Sequence, residues 1–423
     1  MNRSPLLVIF ITVFIDLVGF GIVMPVLPFY VEDPRFAASP VTLGWLFASY
    51  SIMQFIFSPI LGRLSDKHGR RPVLLFSIIG TGIGFLIMGW ATTLWMLFAG
   101  RILDGITGGN ISTASAYIAD VTTPENRAKG MGLIGAAFGL GFIFGPAIGG
   151  ILSRWGVHVP FLFAAALAFL NAVLLYFTLP ETVTPEHPAR GVDRSFRALF
   201  AQLANARLAY VLAIYFLFIV AFSIMTTTFA FYTMFRFNYD AHQNGYLFAF
   251  IGVIAVIVQG GLIGRLAKRY GELPFVIAGA ALFVAGLFAL PFVGPTSGGL
   301  VALLGLLALF AGGNGMATPS LTSLASKSAG TAEQGTTLGL TQSAASLARI
   351  IGPLIGGFLI YSAAATAPPH VSDQTLRLTF WTAGALTFIA LALTLHLAAR
   401  SPKSKVQSPK SGISEDDTLP AGF

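Results

Sequence analysis

Long apolar runs separated by short charged connections fill the chain from one end to the other. A window of about twenty residues, the length that crosses roughly 30 Å of hydrocarbon at 1.5 Å per residue, finds twelve apolar segments: 6–30, 41–62, 73–93, 94–118, 130–152, 157–179, 208–233, 245–264, 274–293, 299–320, 336–361 and 377–399. In hydrocarbon every backbone N–H and C=O must be satisfied within the protein, so segments of this length predict helices. The pattern therefore predicts an all-α membrane protein with twelve transmembrane helices. Segment 1 is too long for the apolar core of a signal peptide, carries Asp16, Pro25 and Pro28 and lacks a small-residue cleavage site, so it reads as the first helix.

Composition sharpens this picture. Of the 423 residues 55% are apolar, 38 are phenylalanine and only 10% are charged, which no water-soluble fold of this length requires. The net charge of +8 could suggest a nucleic-acid partner, but its placement points to membrane topology. With the N-terminus inside, nineteen of the 25 Lys and Arg fall in inward connections and the tail, and only Arg35, Arg154, Arg236 and Arg377 fall outside. The positive-inside rule then places both termini in the cytoplasm, with a secondary attraction to anionic lipid heads; the localisation expected is a plasma (inner) membrane. The stretch GRLSDKHGRRP, Gly62 to Pro72, reads as the cytoplasmic loop between segments 2 and 3. There is no cysteine, hence no disulfide framework or thiol chemistry.

Two features divide the chain. The polar stretch 180–207 separates six segments from six and reads as a linker. An internal repeat spans it: GRLSDKHGRRP at Gly62 has an echo GRLAKRYGELP at Gly264, Phe98 matches Phe310, Glu125 matches Glu333, and FGPAIGG at Phe144 returns as IGPLIGG at Ile351. Offsets this constant argue for a duplicated six-helix unit. An even helix number per unit makes the two units parallel repeats about an axis along the membrane normal. The expected organisation is a bundle at 1–179, a cytoplasmic linker at 180–207, a second bundle at 208–399 and a disordered tail at 400–423.

Ionisable groups inside the segments cost a few kcal/mol each at the bilayer centre, about 3 by insertion scales, and are usually kept for function. There are four: Asp16, Arg101, Asp104 and Arg349. Asp16 lies about 15 Å into segment 1 by helical rise, beside Gly19, Gly21, Pro25 and Pro28. It is a candidate proton carrier; the plainer reading is a hydrogen bond to a neighbouring helix. In segment 4, Arg101, Asp104, Gly108, Ser112 and Ser115 line one face, as expected beside a water-filled cavity; alternatively Arg101 and Asp104 simply neutralise each other. Segment 5 carries Gly139, Gly145, Pro146 and Gly149, and segment 11 repeats them in Gly352, Pro353 and Gly356. Small residues at this spacing let helices approach closely, so these two segments are expected in equivalent places. His158 and His396 lie near segment ends and read as interfacial. No phosphate-binding loop, metal cluster or nucleophile triad is visible.

GRLSDKHGRRPVLL resembles the loop signature of the major facilitator superfamily, GRILDGITGG its helix-4 arginine motif, and GLGFIFGPAIGG the helix-5 motif of its drug/proton antiporters. YIADVTTPENR and GAAFGLG are most similar to the tetracycline-efflux and multidrug group. The resemblance implies the major facilitator fold, and a gating latch of Gly62, Asp66, Gly69, Arg70 and Asp120: Asp66 accepts at the start of segment 11, Arg70 pairs with Asp120, and the cluster forms when the cytoplasmic sides of the halves meet. It implies proton coupling through Asp16, Arg101 and Asp104, and a cavity lined by Asp16, Gln54, Arg101, Asp104, Ser112, Gln259 and Arg349. Where the tetracycline pumps carry acids in helices 3 and 9 and a histidine in helix 8, this chain has Gly84, Ala280 and Ala255, with Gln259 retained and Asp104 as a substitute acid.

The function expected is export of a small amphipathic compound, tetracycline-like or multidrug, in exchange for protons by alternating access. The protein would be a monomer, not an enzyme, with no cofactor or metal, whose partners are substrate, protons and lipids. The alternative is a facilitator or proton symporter importing a sugar or organic anion; a receptor signalling through 400–423 is a third class.

Overall fold

The twelve segments become fourteen α-helices among the residues that a computed structural model describes, which are 5–36, 38–183, 204–328, 334–362 and 370–400. The first half is α1 (Pro5–Val31), α2 (Pro40–His68), α3 (Arg70–Gly89), α4 (Leu94–Thr107), α5 (Asn110–Val121), α6 (Pro124–Leu152) and α7 (Val159–Thr178). The second is α8 (Ala206–Phe237), α9 (Ala241–Val256), a π-helical stretch Ile257–Ile263 leading into α10 (Gly264–Tyr270), α11 (Leu273–Ala289), α12 (Gly299–Lys327), α13 (Gln334–Ile360) and α14 (Asp373–Arg400). Local chemistry sets the ends. Ser39 caps α2 by accepting from the Thr42 amide at 3.3 Å, with Pro40 as first residue. Asn205 accepts from the Arg207 and Leu208 amides to open α8, and Asp240 and Gln243 form a reciprocal capping box at α9.

Among the described residues, eleven helices are long and apolar enough to span a membrane. The twelfth crossing, expected as one helix at 94–118, is α4 and α5 in succession, of 14 and 12 residues. Gly108 and Gly109 cost a helix about 1 kcal/mol each relative to alanine, which makes this the weakest step of the segment. A second correction concerns Gly62–Pro72, expected as a loop. It is helical almost throughout, because charged residues at a helix end keep their backbone ladder beyond the apolar span, and Gly69 alone makes the turn at φ +100°, which a side chain rarely adopts. Most of the linker at 180–207 and of the tail at 400–423 lies outside the described residues.

The small-residue segments occupy equivalent places. In the first half α6 packs on α1, with Gly145 against the Val18 carbonyl and Gly149 against Ile22. In the second half α13 packs on α8, with Gly352 against Ser223 and Gly356 against Thr228. Each also reaches across: α6 meets α9 and α13 meets α2. The two crossings lie toward the face opposite the linker, here the far face. There Gly150 and Gly245 bring α6 and α9 so close that a Cβ on Gly245 would sit 2.3 Å from the Gly150 Cα, and the Pro353 carbonyl crowds Gly44. Toward the linker face, Gly132, Gly135 and Gly139 of α6 and Gly339 of α13 border open space. Among the described residues, the glycine contacts between the halves run from the far face, with Gly357 on Pro40 and Gly150 on Gly245, to Gly252 on Ile143.

Candidate functional site

The site begins with a close packing of α2 on α4. A Cβ at Gly105 would lie 2.5 Å from the Tyr50 carbonyl oxygen. This approach lays the Tyr50 ring over Arg101, whose guanidinium carbon is 4.3 Å from the ring centroid, with Phe47 at 5.8 Å. Arg101 is fully buried; its Nη1 donates to Asp104 Oδ2 at 3.3 Å and its Nε to the Leu46 carbonyl at 3.5 Å. The pair neutralises its own charge, and desolvated cation–π contact adds about 2 kcal/mol. Neither residue lines open water as the one-face stripe had suggested. The helix break supplies the next contact: Gln54 Nε2 donates to the Gly108 carbonyl at 3.0 Å and to the Tyr50 hydroxyl at 2.9 Å. Ser112 serves the same break, donating to the carbonyls of Gly109 and Ser58.

Asp16 is half-buried on α1, with Asn110 and Asp104 as polar neighbours, and the Asn110 Oδ1 is buried without a hydrogen-bond partner. At Gly84, the position where the tetracycline pumps carry an acid and this chain does not, a Cβ would fall 3.1 Å from the Asp104 Cβ. An acid on α3 would therefore compete with Asp104 for the same volume. From the second half, Arg349 of α13 is half-buried and donates to Ser346 Oγ at 3.2 Å. Among the described residues no carboxylate lies within ion-pair distance of it. Tyr50 is within electrostatic reach of Asp16, Asp104, Arg101 and Arg349, and Tyr215 faces Arg349 from α8. Gln259 lies in the π-helical stretch and meets α12 near Gly315. Thus Asp16, Gln54, Arg101, Asp104 and Arg349 converge on Tyr50, whereas Ser112 and Gln259 do not.

The charged corner on the linker face is a separate assembly. Arg70 is 2% exposed; its Nε donates to Asp120 at 3.0 Å, its Nη1 to Ser65 Oγ at 2.7 Å and also to Asp66. Both partners of the Arg70–Asp120 pair belong to the first half, so the pair does not require the second half to close on it. The expected contact of Asp66 at the start of segment 11 abuts residues 329–333, outside the described residues. Sequence reasoning missed Glu181. Its carboxylate accepts from the Arg70 and Arg71 amides at 2.9 and 3.0 Å, placing an anion at the N-terminus of α3, where an anion is worth roughly 0.3–1 kcal/mol. On the far face, Arg154 reaches across to His242 and Tyr246.

Two halves of six crossings each, packed on one another through α6 with α9 and α2 with α13, have the architecture of a membrane transporter. The Major Facilitator Superfamily profile matches residues 9–353. The "Tetracycline resistance protein, class H" of Pasteurella multocida is 34% identical over 97% of this chain and 100% of its own length. The class C protein of Escherichia coli is 36% identical over 95% of this chain and 98% of its own. Among solved structures, that titled as the human organic anion transporter MFSD10 superposes with a TM-score of 0.69 at 26% identity, covering 93% of this chain and 99% of that one. The chain belongs to the Major Facilitator Superfamily of transporters.

Proposed function

We propose that the protein exports small amphipathic, drug-like compounds in exchange for protons by alternating access. It would do so as a monomer in the plasma (inner) membrane with both termini and the linker face cytoplasmic. The observation that carries this is Asp16, a half-buried carboxyl in the middle of α1 whose polar neighbours Asn110 and Asp104 lie inside the bundle. Its helix α1 also packs against α8 and α9 of the second half, so that rocking the halves would turn the same carboxyl toward either side. The tetracycline-resistance names of relatives matched over nearly their whole length support export as the direction. Asp104 fills the place where α3 carries Gly84, and would supply the acid missing there. The energetics suffice: one charge moved through about 150 mV yields roughly 3.5 kcal/mol, which sustains a substrate gradient of about 300-fold.

Arg349 favours a second reading, uptake of an organic anion together with a proton, and the likeness to the human organic anion transporter MFSD10 is in keeping with it. The two readings differ in the sign of proton movement. In proteoliposomes holding a pH-sensitive dye and no preset gradient, substrate added outside should alkalinise the lumen as protons leave in exchange. Acidification of the lumen with substrate entry would replace export by symport.

A further inference from the structure

A polar layer crosses the otherwise apolar interior of the first half. It is made by Thr12 of α1, Ser77 of α3, Thr113 of α5 and Asn171 of α7, each buried and each seven or eight residues inside the linker-face end of its helix. Packing gathers these four helices: Asn171 Nδ2 donates to the Thr12 carbonyl at 3.2 Å, α3 runs along α7, and α5 lies against both α1 and α3. Buried hydroxyls elsewhere donate to a carbonyl one turn back, as Thr228 does to Ile224, Thr387 to Ala383 and Thr394 to Ala390. The hydroxyls of Thr12, Ser77 and Thr113 forgo that bond, and they and Asn171 Oδ1 are buried without a hydrogen-bond partner. Among the described residues one further hydroxyl shares this condition, Ser320 in the second half. The core of that half is filled by aromatic rings instead, with Phe283 5.2 Å from Phe218 and 5.3 Å from Phe310 between centroids. The duplicated fold therefore does not require the polar layer.

Buried polar oxygens are costly to leave unbonded, and internal water, which takes about three hydrogen bonds from such groups, is the usual remedy. The layer also lies in line with Asp16. Thr12 precedes Asp16 by one turn of α1, and Asn110, the polar neighbour of Asp16, shares one face of α5 with Thr113 and Tyr117 at spacings of three and four. Tyr117 ends the line: its hydroxyl donates to the Pro180 carbonyl at 3.2 Å, with Glu181 and Asp120 as charged neighbours at the linker face. We propose that Thr12, Ser77, Thr113 and Asn171 bind a cluster of water inside the first half, through which the Asp16 proton passes to the linker face without entering the space between the halves. This inference rests on the reading of Asp16 as proton carrier and gives its route. The carboxyl hands its proton to the nearest water, each water or hydroxyl takes one proton and passes on another, and the last is released beside Glu181 and Asp120. The bond from Tyr117 to Pro180 must break for that release, which keeps the line from short-circuiting the exchange.

The test uses the purified full chain in detergent. X-ray radiolysis splits bound water where it sits and oxidises the side chains beside it. Leu74 and Ile78, buried on either side of Ser77, should be oxidised at least fivefold faster than Leu307 and Ile224, which are as deeply buried in the second half. Thr12→Val, Ser77→Ala and Thr113→Val combined should abolish that excess and leave thermal stability equal or higher, because no bond within the protein is lost. Time-resolved infrared after a pH jump then follows the protonated-carboxyl band that Asp16→Asn removes, and its decay should be at least tenfold slower in the triple variant. Should the triple variant not fold, radiolysis of the wild type and the decay in Thr113→Val still decide. Oxidation of Leu74 and Ile78 no faster than that of the second-half pair, or an unchanged decay, would overturn the proposal and leave Asp16 as proton carrier untouched. A carboxyl spectrum that Asp16→Asn does not alter would instead sink the reading of Asp16 itself, and the route with it.

Discussion

The two halves carry the same corner with opposite charges. In the first, Arg70 at the start of α3 pairs with Asp120 at the linker-face end of α5. In the second, Glu272, just before α11, pairs with Lys327 at the end of α12, and Ser323 donates to the same carboxylate at 2.9 Å. Arg70 and Glu272 stand at matching places in GRLSDKHGRRP and GRLAKRYGELP, 202 residues apart, and Asp120 and Lys327 are 207 residues apart, within the spread of the repeat. The duplicated fold thus needs an ion pair tying the third helix of each half to its fourth, but not a particular polarity. Burial separates the two corners. The Arg70 side chain is 2% exposed and also holds Asp66 and Ser65, whereas the Lys327 side chain is 65% exposed. The first corner is a buried three-point clamp; the second is a surface pair.

The largest effect should follow from Arg70→Ala. It leaves Asp66 and Asp120 facing each other without their shared cation, and loss of one partner of a buried pair costs about 3–5 kcal/mol. Denaturant unfolding in micelles measures this. Copying the second corner with Arg70→Glu and Asp120→Lys should recover only part, because Asp66 would then oppose a glutamate. Full recovery would show that polarity is immaterial at both corners.

Next in size is the joint between the halves. Gly245→Ala sets a methyl against the Gly150 backbone and, with overpacking worth about 1–3 kcal/mol, should shift the protein toward an open far face. The chain has no native cysteine, so single-cysteine labelling at Ala38 reads this cleanly. Labelling there should accelerate about tenfold or more, and an unchanged rate would mean that the close approach is not what holds the face shut.

A smaller, pH-dependent effect belongs to Glu32, one residue past α1 on the far face. Burial pushes its carboxyl up to about 7, against the pull of His370 from the second half, and its Oε1 is buried without a hydrogen-bond partner. Asp33 and Arg35 beside it are occupied with each other. A raised carboxyl stabilises the closed arrangement in its neutral form. Its contribution is complete below the usual carboxylate range and is lost as pH rises through about 7. Labelling at the far face should therefore quicken between about pH 4.5 and 7 and level off above that, and Glu32→Gln should flatten that profile. Smallest of all, Lys327→Ala should cost no more than about 1 kcal/mol, as exposed pairs do.

Much of this architecture was legible in advance, and the exceptions have physical causes. Apolar length gave the crossings, and the small-residue spacing at Gly145 and Gly352 gave equivalent packing helices, because both depend on local pattern. The break in the fourth crossing was written in Gly108–Gly109, but periodicity on either side concealed it. Glu181 could not be found from spacing, since it meets Arg70 and Arg71 only through the fold, 111 and 110 residues away. The charge reversal was visible in the echo at Gly264, yet pairing Glu272 with Lys327 required the two ends in space. Within the cavity, sequence named the four ionisable groups; which two cancel and which two remain was decided by the approach of Tyr50 to α4.

The central claim is that Asp16 carries the proton whose movement drives substrate transport. The most direct measurement reconstitutes wild type and Asp16→Asn in vesicles and follows two quantities, accumulation driven by an imposed pH gradient and substrate-for-substrate exchange without one. Asp16→Asn should lose accumulation and keep measurable exchange. Accumulation by Asp16→Asn at the wild-type level would contradict the claim.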